Sequence, residues 1–558
     1  MAHNTDYHFA QSRYNIAKAY CPIGFLDTLG KLFSTLVTAD LSYLAEKHNL
    51  LPPTQFGWRP SRCTTDAMHL ITHKVKSTWQ NQKVAAALFL DIQAAFPNTI
   101  KDRLLHNMKT CWVLAAYIKL FDRMLSNQTT QLHFDNFLSD TIQINNGTTQ
   151  GCLLSMLLYA FYNADLINIT KGRNKLSMGF VDDCAFVAVA DMLNEAHTIL
   201  KDMMECTGGG LEWSHRHNSL FELSKHAVMD FACTRNNVPS APLNIDRTDS
   251  DGTLTPHSIA AVDTYKYLRV VFNPKLKWWA HVSKVVASTT WWSQQLWQIL
   301  KTTGGLSPSK THQLYNTIAV PAFTYAANVW YILPYKPFHA KNSRDSDGET
   351  KLLHSVQGRA TQYITRGIHR TAYNVLKAHA NVLPINLLFR KVQFCTATHI
   401  GTLPPRHSLY IIACNAAIHF VKKHKSPLHY FFFITQVKPK SIETIDHVHQ
   451  HPTYKPPLIT RISHSKETAL EHTIKTHQHT QYKVYTDRSS FEGGVGTAVI
   501  LYKNNQIMKI CWYHLGPSME HTVYEAELTS IILTLFLLMN LYCQMWNTIV
   551  IGLDQYVH

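Results

Sequence analysis

The chain has 558 residues, 46% of them hydrophobic, enough for several domains with real cores. Its 53 Lys and Arg against 37 Asp and Glu leave a formal charge of +16 and a pI near 9.2, the footprint of a polyphosphate-binding surface, although basicity alone does not exclude a ribosomal or membrane-surface protein. Eleven cysteines without a Cys-x-x-Cys pair or regular spacing indicate neither a zinc ribbon nor a disulfide framework, and fit a reducing intracellular compartment, nucleus or cytoplasm.

In chain order, the polar start Met1-Ala2-His3-Asn4-Thr5-Asp6 lacks the apolar core of a secretory leader. Leu26 to Leu44 carries apolar residues at three- and four-residue intervals, a helical pattern. Ala85-Ala86-Ala87-Leu88-Phe89-Leu90 then runs apolar into Asp91, a buried strand that releases a carboxylate at its end, with Phe96 five residues later. Asn146-Gly147-Thr148-Thr149-Gln150-Gly151-Cys152-Leu153-Leu154-Ser155 is a loop opening an apolar helix. Phe180-Val181-Asp182-Asp183 sits between the apolar runs Leu176 to Gly179 and Ala185 to Ala190, so it reads as a hairpin with two carboxylates at its tip. An Asp-Asp pair by itself is usually a solvated turn; the strand ending in Asp91 upstream sets this one apart. Asn194 to Cys206 reads as a helix that Gly208-Gly209-Gly210 ends, and Val228 to Phe231 and Tyr267 to Phe272 read as strands.

Beyond His281 the pattern is mostly helical, with Trp291, Trp292 and Trp297 close together. Val437 to Gln481 turns rich in His, Lys, Pro and Thr, as in His447-Val448-His449-Gln450-His451-Pro452, and reads as a connector; without cysteines or a fixed spacing its histidines do not read as a metal site. The longest apolar run, Leu528 to Trp546, contains Thr529, Ser530, Thr534, Asn540 and Gln544 and follows Glu525 and Glu527. A buried helix accounts for it better than a membrane span, which needs about 20 predominantly apolar residues. No membrane partner is expected.

Asp91, Gln150-Gly151 and Asp182-Asp183, in that order, resemble the core motifs of non-LTR (LINE-type) retrotransposon reverse transcriptases, most closely those of fungal elements. Leu51-Pro52-Pro53-Thr54-Gln55-Phe56-Gly57-Trp58-Arg59-Pro60-Ser61-Arg62 looks like the family's fingers segment, and Ser155 to Tyr159 with Tyr162-Asn163-Ala164-Asp165-Leu166 like the helix after its template-contacting loop. Lys266-Tyr267-Leu268-Arg269-Val270, with Leu276, Trp278 and His281, looks like its primer grip. The resemblance implies a mixed α/β (α+β) right-hand polymerase fold: fingers over 1–85, palm over 86–280, thumb and helical connection over 281–430, a linker over 431–481, and a ribonuclease H-like domain over 482–558. The implied activity is RNA-directed DNA polymerase, with an RNA template, a DNA primer, the RNA–DNA hybrid and deoxynucleoside triphosphates as partners; the oligomeric state is left open. A non-catalytic nucleic-acid-binding remnant of such a protein is the alternative.

Joining a nucleotide to a primer hydroxyl is an in-line displacement whose developing charge two Mg²⁺ ions stabilise, with Mn²⁺ as a substitute. Hard cations take one or two carboxylates plus substrate phosphates, so by resemblance Asp91 and Asp182 are the ligands and Asp183 a supporting catalytic acid. Phe96 would sit under the incoming sugar, its other reading being a core aromatic. Gln150 and Gly151 would let backbone approach the templating pair, and Lys225 would lie near the triphosphate, its other reading being a solvated lysine. The three tryptophans fall where the family's thumb helix tracks the duplex, or they form a core.

Tyr482 to Asp487 reads as a strand ending in an acid, Gly493 to Ile500 as the next strand, His521 to Leu528 as the opening of the apolar helix, and Ile549 to Asp554 as another strand. This resembles a ribonuclease H domain, with Asp487, Glu527 and Asp554 as its metal-binding acids and Glu525 out of position. The family's later strand and helices do not follow Asp554, so a truncated and inactive domain is expected. Other departures are Cys21 for an arginine, Trp58 for a glycine, Cys152-Leu153 for an acid-proline type pair, Arg269 for a glycine and Arg488 for a glycine. Each lost glycine is expected to strain its site, and a fragment carrying accumulated substitutions is the simplest account of them together.

Overall fold

Seven apolar residues, Val84–Leu90, form strand β1 and are all buried, because the strand is covered on both faces. Alternate residues serve two cores: Ala85, Ala87 and Phe89 belong to one, Ala86, Leu88 and Leu90 to the other. Around β1 lie β2 (Lys175–Phe180), β3 (Asp183–Ala190) and β4 (Ala227–Phe231) in an antiparallel sheet of order β2-β3-β1-β4. Helix α1 (Thr28–Lys47), capped by Asp27 Oδ1 on the Gly30 N–H, and helix α2 (Thr64–Gln80) precede the sheet. α2 supplies Met68, Ile71 and Val75 to the first core, while α3 (Leu153–Tyr162) and α4 (Leu193–Glu205) supply Leu158 and Leu200 to the second.

This computed structural model describes residues 23–134, 137–169, 172–222, 225–233, 241–248, 254–299, 305–332, 347–368, 370–419, 421–446, 451–453, 464–539 and 549–552. Cys21 and Asp554 lie outside them. The chain divides into two compact units, Met1–Tyr454 and Lys455–His558. Among the described residues no helix is long and apolar enough to cross a membrane.

The expected strand Tyr267 to Phe272 is instead a hairpin, β5 (Tyr265–Tyr267) and β6 (Val270–Phe272), turning at Leu268 and Arg269 with φ of +44° and +69°. Two successive positive φ values mark the turn that glycine or asparagine normally fills. Trp58, the other glycine replacement in the polymerase segments, also has a positive φ of +55°, whereas Arg488 sits in a paired strand opposite Thr497, where no glycine is required. Left-handed backbone costs a non-glycine residue about 1–3 kcal/mol, more than the roughly 0.5–1 kcal/mol of entropy a glycine adds. Arg269→Gly is therefore expected to raise stability by about 1 kcal/mol, read as a higher urea midpoint at unchanged slope; a lower midpoint would mean that the arginine side chain outweighs its backbone strain.

After α5 (Trp279–Ile299), which carries the three tryptophans, the unit is helical, with α7 (Pro427–Thr435) packing against both α2 and α6 (Ile385–Gly401). Trp291 is partly exposed and meets Trp292 edge-on at 5.0 Å. Residues 431–446, expected as linker, belong to this body: Phe431 and Phe432 are buried, Phe431 meets His69 edge-on at 5.7 Å, and the Ile445 N–H donates to the Thr402 carbonyl at 2.8 Å. Farther along the same stretch, α8 (Lys466–His479) belongs to the second unit, where His477 Nδ1 lies 3.0 Å from the Tyr485 hydroxyl.

The second unit is a sheet of order β9-β8-β7-β10, from β7 (Tyr482–Phe491), β8 (Gly494–Lys503), β9 (Gln506–Pro517) and β10 (Ile549–Gly552), with β10 parallel to β7 and the others antiparallel. β8 alternates cleanly, with Val495, Val499 and Leu501 buried. Helix α9 (Val523–Met539) brings Leu537 against Val484, Val499 and Leu501.

Candidate active site

The β1–β3 register ends at Leu90↔Cys184, so the next residues along, Asp91 and Asp183, lie side by side where the strands run out. β2 and β3 close at Phe180↔Asp183, leaving Val181 and Asp182 as a two-residue turn. Three carboxylates are thus carried to one end of the sheet. Lys225 Nζ donates to Asp91 Oδ2 at 2.7 Å, and this bond raises the lysine's proton affinity. Burial, and then the charge of Asp91, raises Asp182; burial with the charges of Asp182 and Asp91 pushes Asp183 up to about 7.

Carboxyls of raised pKa bind protons more tightly folded than unfolded, so their stabilising contribution is full below the ordinary carboxylate range and is lost as pH rises towards about 7. In chelator, Asp183→Asn is expected to stabilise the protein at about pH 8 and to lose that advantage near pH 5, where wild-type Asp183 carries its proton. Urea midpoints that differ equally at both pH values would show that Asp183 is not held in this way.

The turn is built by residues far from it in sequence. Val181 has φ +61°, a conformation that a β-branched residue adopts only when its surroundings impose it. Asn163 Nδ2 donates to the Val181 carbonyl at 2.5 Å, Gln55 Nε2 donates to Asn163 Oδ1 at 2.9 Å, and Gln55 Oε1 accepts the Gly57 N–H at 3.1 Å. Gln55 and Asn163 are fully buried. The Phe56 N–H donates to the Gly179 carbonyl and the Gly179 N–H to the Thr54 carbonyl, at 2.8 and 3.1 Å, which pins the Thr54–Gly57 segment along β2. A Cβ on Gly57 would come 2.4 Å from the Val181 nitrogen, so only glycine permits this approach. The segment is itself held by Arg59, buried and paired with Glu46 at 2.5 Å while donating to the Pro52 and Gln55 carbonyls. Gln55, Gly57, Arg59 and Asn163 fall inside the sequence motifs, but their task is not legible there, because the Gln55–Asn163 bond spans 108 residues.

Of the other expected site residues, Phe96 is only 8% exposed and packs on Tyr159 with ring centroids 5.3 Å apart. Gln150 fixes the loop through its backbone: its carbonyl accepts the Gly24 N–H at 2.8 Å. Gly151 has φ +97°, which explains a glycine there. The same loop docks on the segment after Asp91 through Gly147 N–H to the Thr99 carbonyl and Thr148 N–H to the Phe96 carbonyl, at 2.8 and 2.9 Å. On the other side of the acids, Tyr265 stacks on Phe89 at 4.4 Å, and Lys266 exerts its charge on Asp183. In the second unit Asp487 is exposed on β7 and Glu527 half-buried on α9. Glu525 accepts the Thr522 N–H at 2.7 Å and caps α9, which accounts for it without a ligand role.

Residues 11–214 match the family model for reverse transcriptase (RNA-dependent DNA polymerase). The chain is 24% identical over 353 residues to the probable RNA-directed DNA polymerase from transposon X-element of Drosophila melanogaster, covering 62% of this chain and 36% of that protein. It is 24% identical over 358 residues to the RNA-directed DNA polymerase from mobile element jockey of the same species, covering 63% and 37%. The chain thus spans about a third of the length of these relatives. Among solved structures, apo telomerase from Candida tropicalis aligns with a TM-score of 0.34 at 9% identity, over 72% of this chain and 61% of that one.

Proposed function

We propose, from the premise that residues 11–214 are a reverse transcriptase domain of the kind found in non-LTR retrotransposons, that this chain extends a DNA primer on an RNA template at Asp91, Asp182 and Asp183. The observation that carries the reading is the meeting of three acids at one end of the sheet, two of them with proton affinity raised chiefly by burial and further by neighbouring carboxylate charge. Such a set fits divalent cations, since one or two carboxylates plus substrate phosphates satisfy Mg²⁺ or Mn²⁺. Asp91 and Asp182 would hold the ions, which supply charge neutralisation at the attacking and leaving oxygens. Lys225 is the cation that these acids hold meanwhile, and a triphosphate would draw its ammonium from Asp91 onto phosphate oxygens. Phe96, beneath the Thr148 backbone bond, would limit the room beside the incoming sugar; Gln150 and Gly151 would face the templating pair.

In the second unit, strand order, the parallel β10 and helix α9 support a ribonuclease H-like domain, with Asp487 and Glu527 on two of its elements and Asp554 following β10 as candidate acids. The left-handed Trp58, Leu268 and Arg269 favour the second reading, a nucleic-acid-binding remnant without catalysis. Primer extension on an RNA template with purified chain, deoxynucleoside triphosphates and Mg²⁺ or Mn²⁺ separates the two, because only the polymerase reading gives a longer product.

Both readings share hybrid binding. With a formal charge of +16 and about six phosphates contacted, affinity for an RNA–DNA hybrid is expected to fall roughly 10³-fold between 50 and 200 mM salt. Titration of a labelled hybrid measures this without catalysis; a flat response would mean that the basic residues are scattered rather than gathered on a duplex.

A further inference from the structure

We propose that Cys63, Asp66 and His399 form a structural Zn²⁺ site that fastens the start of α2 to the last turn of α6. One ligand atom from each lies within 4.8 Å of the other two. An ion among three atoms so spaced is within roughly 2.8 Å of each, a few tenths of an ångström outside the bonds of about 2.0–2.3 Å that Zn²⁺ makes to nitrogen, oxygen and sulfur. Side-chain adjustment alone closes that gap. Sulfur with imidazole selects zinc over the hard cations of the polymerase site, and thiolate with carboxylate balances its charge.

A second, independent observation points to a ligand. Asp66 is 1% exposed, and while its Oδ2 accepts the Cys63 N–H at 2.9 Å as an α2 cap, Oδ1 is buried without a hydrogen-bond partner. A buried carboxylate oxygen left unpaired costs more than a cap returns. The two nearby candidates do not supply the missing contact. Arg62 directs Nη1 to the Pro53 carbonyl at 2.5 Å. His407 Nδ1 accepts the Leu409 N–H at 3.2 Å, which leaves the neutral ring's proton on Nε2, 3.9 Å from Asp66 Oδ2. His407 Nε2 thus lies beyond hydrogen-bond reach of the carboxylate and is itself without a hydrogen-bond partner, and the three protein ligands Cys63, Asp66 and His399 leave one position of a tetrahedron for water. A thiol binds zinc as the thiolate, so uptake of the ion at Cys63 releases a proton. The site joins residues more than 300 positions apart within the first unit, beside the bond from the Tyr325 hydroxyl to Thr64 Oγ1.

The full chain, stripped with chelator, is titrated with Zn²⁺ alone and then with Co²⁺. One ion per chain is expected, with a thiolate-to-cobalt charge-transfer band that disappears in Cys63→Ser, and with zinc affinity lowered more than about 100-fold in His399→Gln, beyond the loss that outer-shell changes cause. Asp91→Asn keeps the ion, which separates this site from the polymerase acids. X-ray absorption on the wild-type zinc protein needs no variant and must show one sulfur at about 2.3 Å among nitrogen and oxygen neighbours. A shell without sulfur, wild-type affinity in both variants, or no zinc retained overturns the proposal.

Discussion

Asp91→Asn and Asp182→Asn are each expected to lower primer extension by about 10³-fold or more while leaving the affinity for an RNA–DNA hybrid nearly unchanged. Metal-assisted charge stabilisation in such displacements is worth several kcal/mol, and each 1.36 kcal/mol is about tenfold in rate. An amide keeps the shape of the side chain and removes the charge that holds a divalent ion. Hybrid affinity is set chiefly by phosphate contacts and counterion release, so it is insensitive to one acid at the sheet end. Asp91→Asn also releases Lys225 from its 2.7 Å ion pair, and folding is checked by urea unfolding of the same variant. Extension surviving in either variant would remove these residues from catalysis.

Gly57→Ala and Asn163→Ala are expected to have the next largest effects, because both act on the turn that carries Asp182. The new methyl of Gly57→Ala would meet backbone atoms, the Val181 nitrogen at 2.4 Å and the Phe180 carbonyl carbon at 3.0 Å, and neither can swing aside as a side-chain tip could. Overpacking of this kind costs typically 1–3 kcal/mol, and a displacement of about 1 Å at a reacting centre costs on the order of 10²-fold in rate. Asn163→Ala removes the donor from a buried carbonyl and the acceptor of the Gln55 amide, each omission costing about 1–3 kcal/mol. Both variants should raise the divalent-ion concentration at half-maximal extension, a readout that simple destabilisation does not move. Full activity with ordinary ion dependence in folded Gly57→Ala would show that the turn is positioned by other contacts.

Local properties were legible in the sequence. β1 announces itself because seven apolar residues in a row can only be covered on both faces, and Asp91 had to emerge where that run ends. The acidic hairpin was legible for the same reason, a polar pair between two apolar strands. So was the backbone demand at Trp58 and Arg269: a conformation that suits glycine belongs to the residue itself, and both adopt it. Arg488 does not, because a paired strand makes no such demand.

Short or irregular elements were less legible. The three-residue strands of the Tyr265–Phe272 hairpin are too brief to show a period, and exposed apolar side chains such as Ile507, Met508, Ile510 and Trp512 on β9 blur the alternation that marks a half-buried strand. Residues 437–446 read as a connector by composition, yet the Ile445 N–H is bonded to the Thr402 carbonyl, and Phe431 and Phe432, inside the expected linker bounds, are core because α7 packs against α2 and α6. Only the tertiary structure decided the rest of the site. Gln55 and Asn163 are 108 residues apart, Lys225 and Asp91 are 134 apart, and Cys63 meets His399 across still more chain. Hydrogen bonds, ion pairs and ligand geometry depend on a few ångströms between side chains, and the packing of two cores around β1 sets those distances, so no local pattern could hold them.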